Sequence, residues 1–215
     1  EKMPDIRTMR NFNNFGNNEF VQEFWKRKFA SIHDKVYAET NHTLSKCGLV
    51  ENVLLNKRSN STTLIILKRQ ISKQCQSYLI RNDFGNVTLA WQWYLLPQYS
   101  KKLINPDPFF KFGKISLPLW YCYEMEARQE YYYQKFSNYI RMINLNLEDA
   151  ITENGAKKFF NELGLKTSCL LPPPKNENKV KTNNELMEIL KKIIRKIDID
   201  MPQLVKKAIN KGFTF

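Results

Sequence analysis

The sequence predicts a mainly β chain, a meander or barrel of short strands with a helix at either end. Two observations lead there. Four β-rich runs, 43–56, 62–71, 75–82 and 87–96, follow one another closely before Pro97, a spacing that suits antiparallel neighbours better than the crossovers of a parallel sheet. Residues 74–99, QCQSYLIRNDFGNVTLAWQWYLLPQY, then read as a hairpin. Its first strand is Ser77 to Arg81, and its turn is Asn82-Asp83-Phe84-Gly85-Asn86. In its second strand, Val87, Leu89, Trp91, Trp93 and Leu95 fall on one face and Thr88, Ala90, Gln92, Tyr94 and Leu96 on the other. Asn, Asp and Gly tolerate positive φ and bond their own backbone, which places the turn there. Trp91 and Trp93 share one surface, and such a pair in a strand is most simply core.

In chain order, residues 1–17 are a polar, Asn-rich arm without periodicity. From Asn18, an N-cap, NEFVQEFWKRKFASIHDKVYAET places Val21, Trp25, Phe29, Ile32 and Val36 on one helical stripe. TLSKCGLVENVLLN (43–56) predicts a strand ended by Lys57-Arg58-Ser59-Asn60, and TTLIILKRQI (62–71) a second. After a proline-bearing loop over 97–113, KISLPLWYCY (114–123) alternates again, with Pro118 at an edge or bulge. Residues 124–144 fit a helix through Met125, Arg128, Tyr132, Phe136, Tyr139 and Ile143, while Tyr131, Tyr133 and Lys135 also alternate. Asn146 to Leu163 is helical, with Gly164 as its stop and Gly155 weakening its middle. Residues 168–183 are a proline-led linker. Asn184 to Ile197 forms an amphipathic helix through Leu186, Ile189, Leu190, Ile193, Ile194 and Ile197. A short helix follows, capped by Asp200 with Pro202 in its first turn and Gly212 after its end.

Formal net charge is +13. Residues 44–144 carry 14 Lys and Arg against 6 Asp and Glu, a net +8, and residues 168–215 carry a net +5. Such a balance, with aromatics among the charges, points to a polyanion, most simply nucleic acid. Cys47, Cys75, Cys122 and Cys169 form no C-x-x-C pair, and His33 and His42 complete no zinc spacing, so the cysteines read as reduced core residues and no metal or cofactor is expected. The N-x-T triplets at Asn41, Asn60 and Asn86 are about what so Asn-rich a chain yields by chance. No apolar run approaches a membrane span. The chain opens without an initiator Met, as a fragment would, so the lack of a signal peptide carries no weight. No phosphate-cradling glycine loop or nucleophile–histidine motif is present, which argues against an enzyme.

The order of parts, helix, meander with a W-x-W strand, closing helix, linker and helix-turn-helix, resembles the middle subunit of replication protein A and its telomeric relative, the middle subunit of the CST complex. Leu44 to Arg58 is similar to that family's first OB strand and basic turn, and SYLIRNDFGNVTLAWQW to a strand, an acidic turn and a strand ending in Trp. The family's turn opens with two acidic residues where this chain has Arg81-Asn82 and keeps Asp83. ISLPLWYCYEMEARQEYYYQKFSNYI is similar to the last two barrel strands, which favours a strand over 129–138. The resemblance implies a five-stranded OB-fold barrel over 18–167 with flanking helices, a linker at 168–183 and the start of a winged helix in 184–215. It also implies a non-catalytic nuclear subunit of a telomeric complex, possessing no catalytic residue, that binds single-stranded DNA and works with telomerase and polymerase alpha-primase in C-strand synthesis.

In that reading Trp93 is either a base-stacking platform or core, and Trp91 beside it is core or stacking. Lys57, Arg58, Lys68, Arg69 and Arg81 are the candidate phosphate contacts. Ile151, Phe159, Phe160 and Leu163 either form a face toward a small OB-fold subunit, through 146–163, or cap the barrel bottom; a large OB-fold subunit would complete the complex. An alternative use of the same charge, without a stacking face, is a structural subunit of a large ribonucleoprotein such as a mitochondrial ribosome.

Overall fold

The computed structural model describes residues 17–40, 48–85, 94–98, 101–165, 171 and 183–211. Its elements are α1 (Glu19–Ala30), α2 (Leu49–Leu55), a 3-10 turn (Ser59–Ser61), β1 (Thr63–Lys68), α3 (Ile71–Arg81), a 3-10 segment (Asp107–Ile115), α4 (Ser116–Phe136), β2 (Arg141–Asn146), α5 (Leu147–Ala150), α6 (Glu153–Glu162), α7 (Asn184–Ile194) and α8 (Met201–Asn210). The expected mainly β fold, a five-stranded OB barrel, is overturned. The described residues are mostly helical and hold one two-stranded sheet, in which β1 and β2 run parallel with Thr63 opposite Arg141 and Lys68 opposite Asn146.

The reversal is largest at α4. Residues 114–123 alternate because nearly every one of them is apolar, so a run of this kind satisfies a period of 2 and a period of 3.6 alike. Thirteen residues of α4 are buried, on all sides in its first half, which is the signature of a helix passing through the middle of a core. Pro118 is the third helical residue, where no intrahelical partner awaits its missing N–H, so it starts the helix and breaks no ladder. The strand expected over 129–138 is the second half of the same helix.

The strand expected at 75–82 is α3, whose Ile71, Cys75, Tyr78 and Leu79 fall at helical spacing and pack into the core. The turn itself is where the sequence places it: Asn82 ends α3 in the left-handed region, with φ of 54°. The strand expected at 43–56 is α2 over its described part, with Val50 and Val53 buried on one side. The run 62–71 contains β1. β2, at Arg141–Asn146, falls within the stretch assigned to helix, although Ile143 and Leu145 alternate with Asn144 and Asn146. The single helix expected over 146–163 is two, because Thr152 Oγ1 accepts from the Gly155 amide at 3.1 Å and opens α6 anew.

Two apolar clusters lie along α4. The first joins Val21, Trp25 and Phe29 of α1, Val50 and Val53 of α2, Tyr131 and Tyr132 of α4, and Val205 and Ala208 of α8. The second joins Cys75 of α3, Phe109, the Leu119–Met125 part of α4, and Leu190 of α7. Leu103, Met201 and Leu204 touch both clusters, so the C-terminal helix pair packs into the same interior as the rest. α1 is shorter than the sequence stripe suggests: it ends at Ala30, and Val36 is exposed.

Candidate nucleic-acid interface

Three of the five predicted phosphate contacts meet in one groove. α3 presents Gln74, Ser77, Tyr78 and Arg81 at spacings of three and four, and α4 presents Cys122, Met125, Glu126 and Gln129 in the same way, so two helical stripes face each other across a seam. Leu67, Lys68 and Arg69 close the seam at the carboxyl end of β1, and Leu147 does so after β2, giving a groove of about 260 Å³. Open α/β sheets characteristically place ligands at this end of parallel strands.

Each cation of the groove lies near a carboxylate. Lys68 Nζ lies 3.6 Å from Glu130, while Lys73 Nζ and Arg69 Nε lie 3.1 and 4.0 Å from Glu148. Burial tends to raise the Glu148 carboxyl, but backbone hydrogen bonding and the Lys73 ammonium outweigh it and hold the group below its ordinary value. Arg81 donates from Nη2 to Asp83 at 2.6 Å and from Nη1 to Ser77 Oγ at 2.6 Å, and its guanidinium sits 5.4 Å over the Tyr78 ring. The field in the groove is therefore mixed in sign.

Lys57 and Arg58 lie elsewhere. Arg58 Nη2 donates to the Phe29 carbonyl at 2.9 Å while its guanidinium covers the Phe29 ring, fastening the end of α1. Lys57 is exposed in a left-handed turn after α2, with φ of 54°. Trp91 and Trp93 lie outside the described residues. Among the described aromatics, Trp25 and Trp120 are buried, and Tyr78, Phe84, Tyr94 and Tyr121 pack against one another with centroids 4.8–5.7 Å apart. Burial pushes the Tyr94 hydroxyl up to about 12, with the Asp83 charge adding to the effect. On the expected partner face, Ile151 is exposed in the break between α5 and α6, while Phe159, Phe160 and Leu163 are half-buried.

A denser set of cations lies on α7 and α8. Residues 191–211 carry 7 Lys and Arg against 2 Asp. The apolar stripes of the two helices, Leu186, Leu190, Ile193 and Ile194 on one and Leu204, Val205 and Ala208 on the other, turn into the clusters, which leaves the cations facing water. Lys191 pairs with Glu188 at 2.8 Å and Lys207 donates to Gln203 at 3.2 Å. Lys192, Arg195, Lys196, Lys206 and Lys211 are exposed and form no ion pair within 4 Å among the described residues. The signal was the net +5 of the chain's last quarter, which the candidate residues drawn from the W-x-W stretch and its neighbours did not use.

Cys75 and Cys122 are free and buried, and no group of metal-ligating side chains forms among the described residues. No described helix is long and apolar enough to cross a membrane. Comparison with known families, with characterised proteins and with solved structures finds nothing that matches this chain.

Proposed function

We propose that the chain is a non-catalytic nucleic-acid-binding protein that holds the phosphate backbone through α7 and α8, as a structural subunit of a large ribonucleoprotein does. The observation that carries this reading is the contrast between two sets of cations. Those of the groove are each balanced by a carboxylate, whereas Lys192, Arg195, Lys196, Lys206 and Lys211 have none within 4 Å among the described residues. A polyanion is drawn to the unbalanced set, because only there does binding release counterions without first breaking an internal pair.

Two further features support a place within an assembly. The described large aromatic rings are mostly packed together in the interior, and the exposed ones, Phe20, Tyr37, Phe110 and Tyr139, stand singly along the chain and form no row for stacked bases. Parallel sheets are ordinarily covered on both faces, yet Ile65 and Leu67, two residues apart on one side of β1, are 46% and 49% exposed. The telomeric single-strand reading depended on a barrel strand for its stacking platform and loses that support with the barrel.

The test is anisotropy of a labelled single-stranded RNA with the full chain across a salt series. Four phosphate contacts give a slope of about −2.8 in log K against log salt, or about 50-fold weaker binding on going from about 50 to 200 mM salt. Replacing Lys192, Lys196 and Lys206 together with Glu should abolish most of the affinity, whereas Lys57→Glu should change it little. Salt-insensitive binding, or equal affinity in a folded triple variant, overturns the proposal.

A further inference from the structure

The groove between α3 and α4 holds one charged group for which the fold has no use. Glu126 is half-buried at the middle of the α4 stripe, and it makes no hydrogen bond or ion pair among the described residues. Glu124, two residues earlier, is fully engaged, with two backbone amides and Arg128 on its oxygens. Helical spacing explains the difference. Glu124 points into the core, while Glu126 points into the seam with Cys122, Met125 and Gln129.

A carboxylate drawn partly out of water without a partner raises the free energy of the empty site, and a ligand that donates hydrogen bonds to it lowers that free energy. Burial pushes the Glu126 carboxyl up, with Glu130 adding to the shift and Lys68 opposing it. The lining around it defines what the donor must be attached to. Met125, Leu67, Leu147 and the Tyr78 ring offer apolar walls, and Gln129 and Gln74 offer amides at the edges. Lys68 and Arg69 stand at the end of β1, and their carboxylate partners at 3.6 and 4.0 Å are loosely held. The volume, about 260 Å³, falls just below the range of about 300–1,000 Å³ for sites of drug-sized ligands, so the occupant is a fragment. A flat body with apolar faces, a donor-rich edge and an anion attached outside describes a nucleobase with its phosphate.

We propose that the groove receives one unstacked guanine of a bound single strand, with Glu126 accepting from its N1–H and N2–H and with Lys68 and Arg69 meeting the adjoining phosphate. Guanine is the base whose pairing edge presents two adjacent donors, the complement of one carboxylate, while uracil offers one donor between two acceptors. The assignment rests on the nucleic-acid reading and adds to it: α7 and α8 supply affinity without regard to sequence, and the groove supplies a preference at one position.

Three single strands separate the two claims: oligouridylate, the same strand with one central guanosine, and the same with inosine, which lacks the N2 amino group. With the full chain, the guanosine strand should bind about tenfold more tightly than oligouridylate, with inosine between them. Glu126→Gln should erase that ranking, leaving the three strands with equal affinity, with Glu126→Ala as a second variant should the first misfold. Free guanosine monophosphate should compete with the guanosine strand, and inorganic phosphate at the same concentration should not. Equal affinity for the three strands, a ranking that survives in both Glu126 variants, or equal competition by phosphate overturns the groove assignment and leaves the backbone reading standing. Failure of all three strands to bind at low salt overturns both.

Discussion

Glu124→Leu tests how the long helix is anchored, because the pair it breaks is sealed from water. Glu124 and Arg128 are 0% and 1% exposed, four residues apart on α4, with Nε to Oε1 at 2.8 Å. Glu124 also accepts from the Leu103 amide at 2.9 Å and the Ile104 amide at 2.8 Å, while Arg128 Nη2 donates to the Lys101 carbonyl at 3.1 Å. Trp120 Nε1 adds a bond to the Ile104 carbonyl at 3.0 Å. Together these bonds tie the 101–104 segment onto α4, where Leu103 bridges both apolar clusters.

Removing Glu124 strands a guanidinium in the interior and bares two amides. Breaking a buried pair from one side costs about 3–5 kcal/mol, and the bare amides place this variant at the upper end of that range. Arg128→Met leaves a carboxylate that still holds two N–H groups, so its cost should lie at the lower end. The double variant Glu124→Leu/Arg128→Met has no stranded charge and should be no less stable than Glu124→Leu alone. That implies a coupling of at least about 3 kcal/mol, the cost of Arg128→Met alone. Guanidinium chloride unfolding followed by far-UV circular dichroism measures all three. A cost below about 1 kcal/mol for Glu124→Leu, or costs that simply add, would show that the pair does not anchor the helix as argued.

Two further perturbations test local features. Glu51 accepts from the Tyr132 hydroxyl at 2.8 Å through Oε1, its Oε2 has no hydrogen-bond partner among the described residues, and burial raises its carboxyl above the ordinary value. Because the folded form prefers the proton, this group's contribution is complete below about 4.5 and is lost as pH rises through the elevated folded value. Glu51→Gln should therefore gain stability over the parent as pH climbs from about 4.5 toward neutrality, read as the difference in urea midpoints; a gap that narrows with rising pH contradicts the assignment. Gly113 sits at φ 57°, ψ −126° in the kink of the 3-10 segment, with nothing among the described residues within 4 Å of an added Cβ. Gly113→Ala should cost about 1–3 kcal/mol from backbone strain alone, and an unchanged chemical-denaturation midpoint would mean that the kink relaxes freely.

The sequence disclosed the elements whose pattern admits one period. α1 follows from Asn18 and the spacing of Val21, Trp25 and Phe29; α7 and α8 follow from their apolar stripes, and α8 also from its cap at Asp200. The apolar runs that fold as α2 and the first half of α4 satisfy both periods, and in α4 length decides between them. From Leu117 to Tyr133 the chain is dominated by apolar and aromatic residues, too long a stretch for strands of 4–8 residues unless it is broken by turn residues, and it contains none but Pro118. In α3 the spacing of Ile71, Cys75, Tyr78 and Leu79 is helical, while the turn at Asn82-Asp83 suits strands on both sides. A left-handed Asn closes a helix as readily as it turns a hairpin.

The candidate site was legible only in part, for a different reason. Net charge counts cations, whereas a polyanion responds to cations left without partners, and partners are a tertiary property. Lys68 and Arg69 stand tens of residues from Glu130 and Glu148, and the fold brings each pair together, whereas Arg81 pairs locally with Asp83. On α7 and α8 the opposite holds, because the acidic residues fall mainly in the first turns, where they cap or favour the helix start, and the basic ones follow along the exposed faces. Charge reversal at Lys68 or Arg69 should accordingly break an internal pair and weaken the guanosine preference, whereas reversal at Lys192 or Lys206 has no internal pair to break and should weaken binding to every strand. The comparison of those two kinds of variant separates the groove's part in sequence preference from the helix pair's part in affinity.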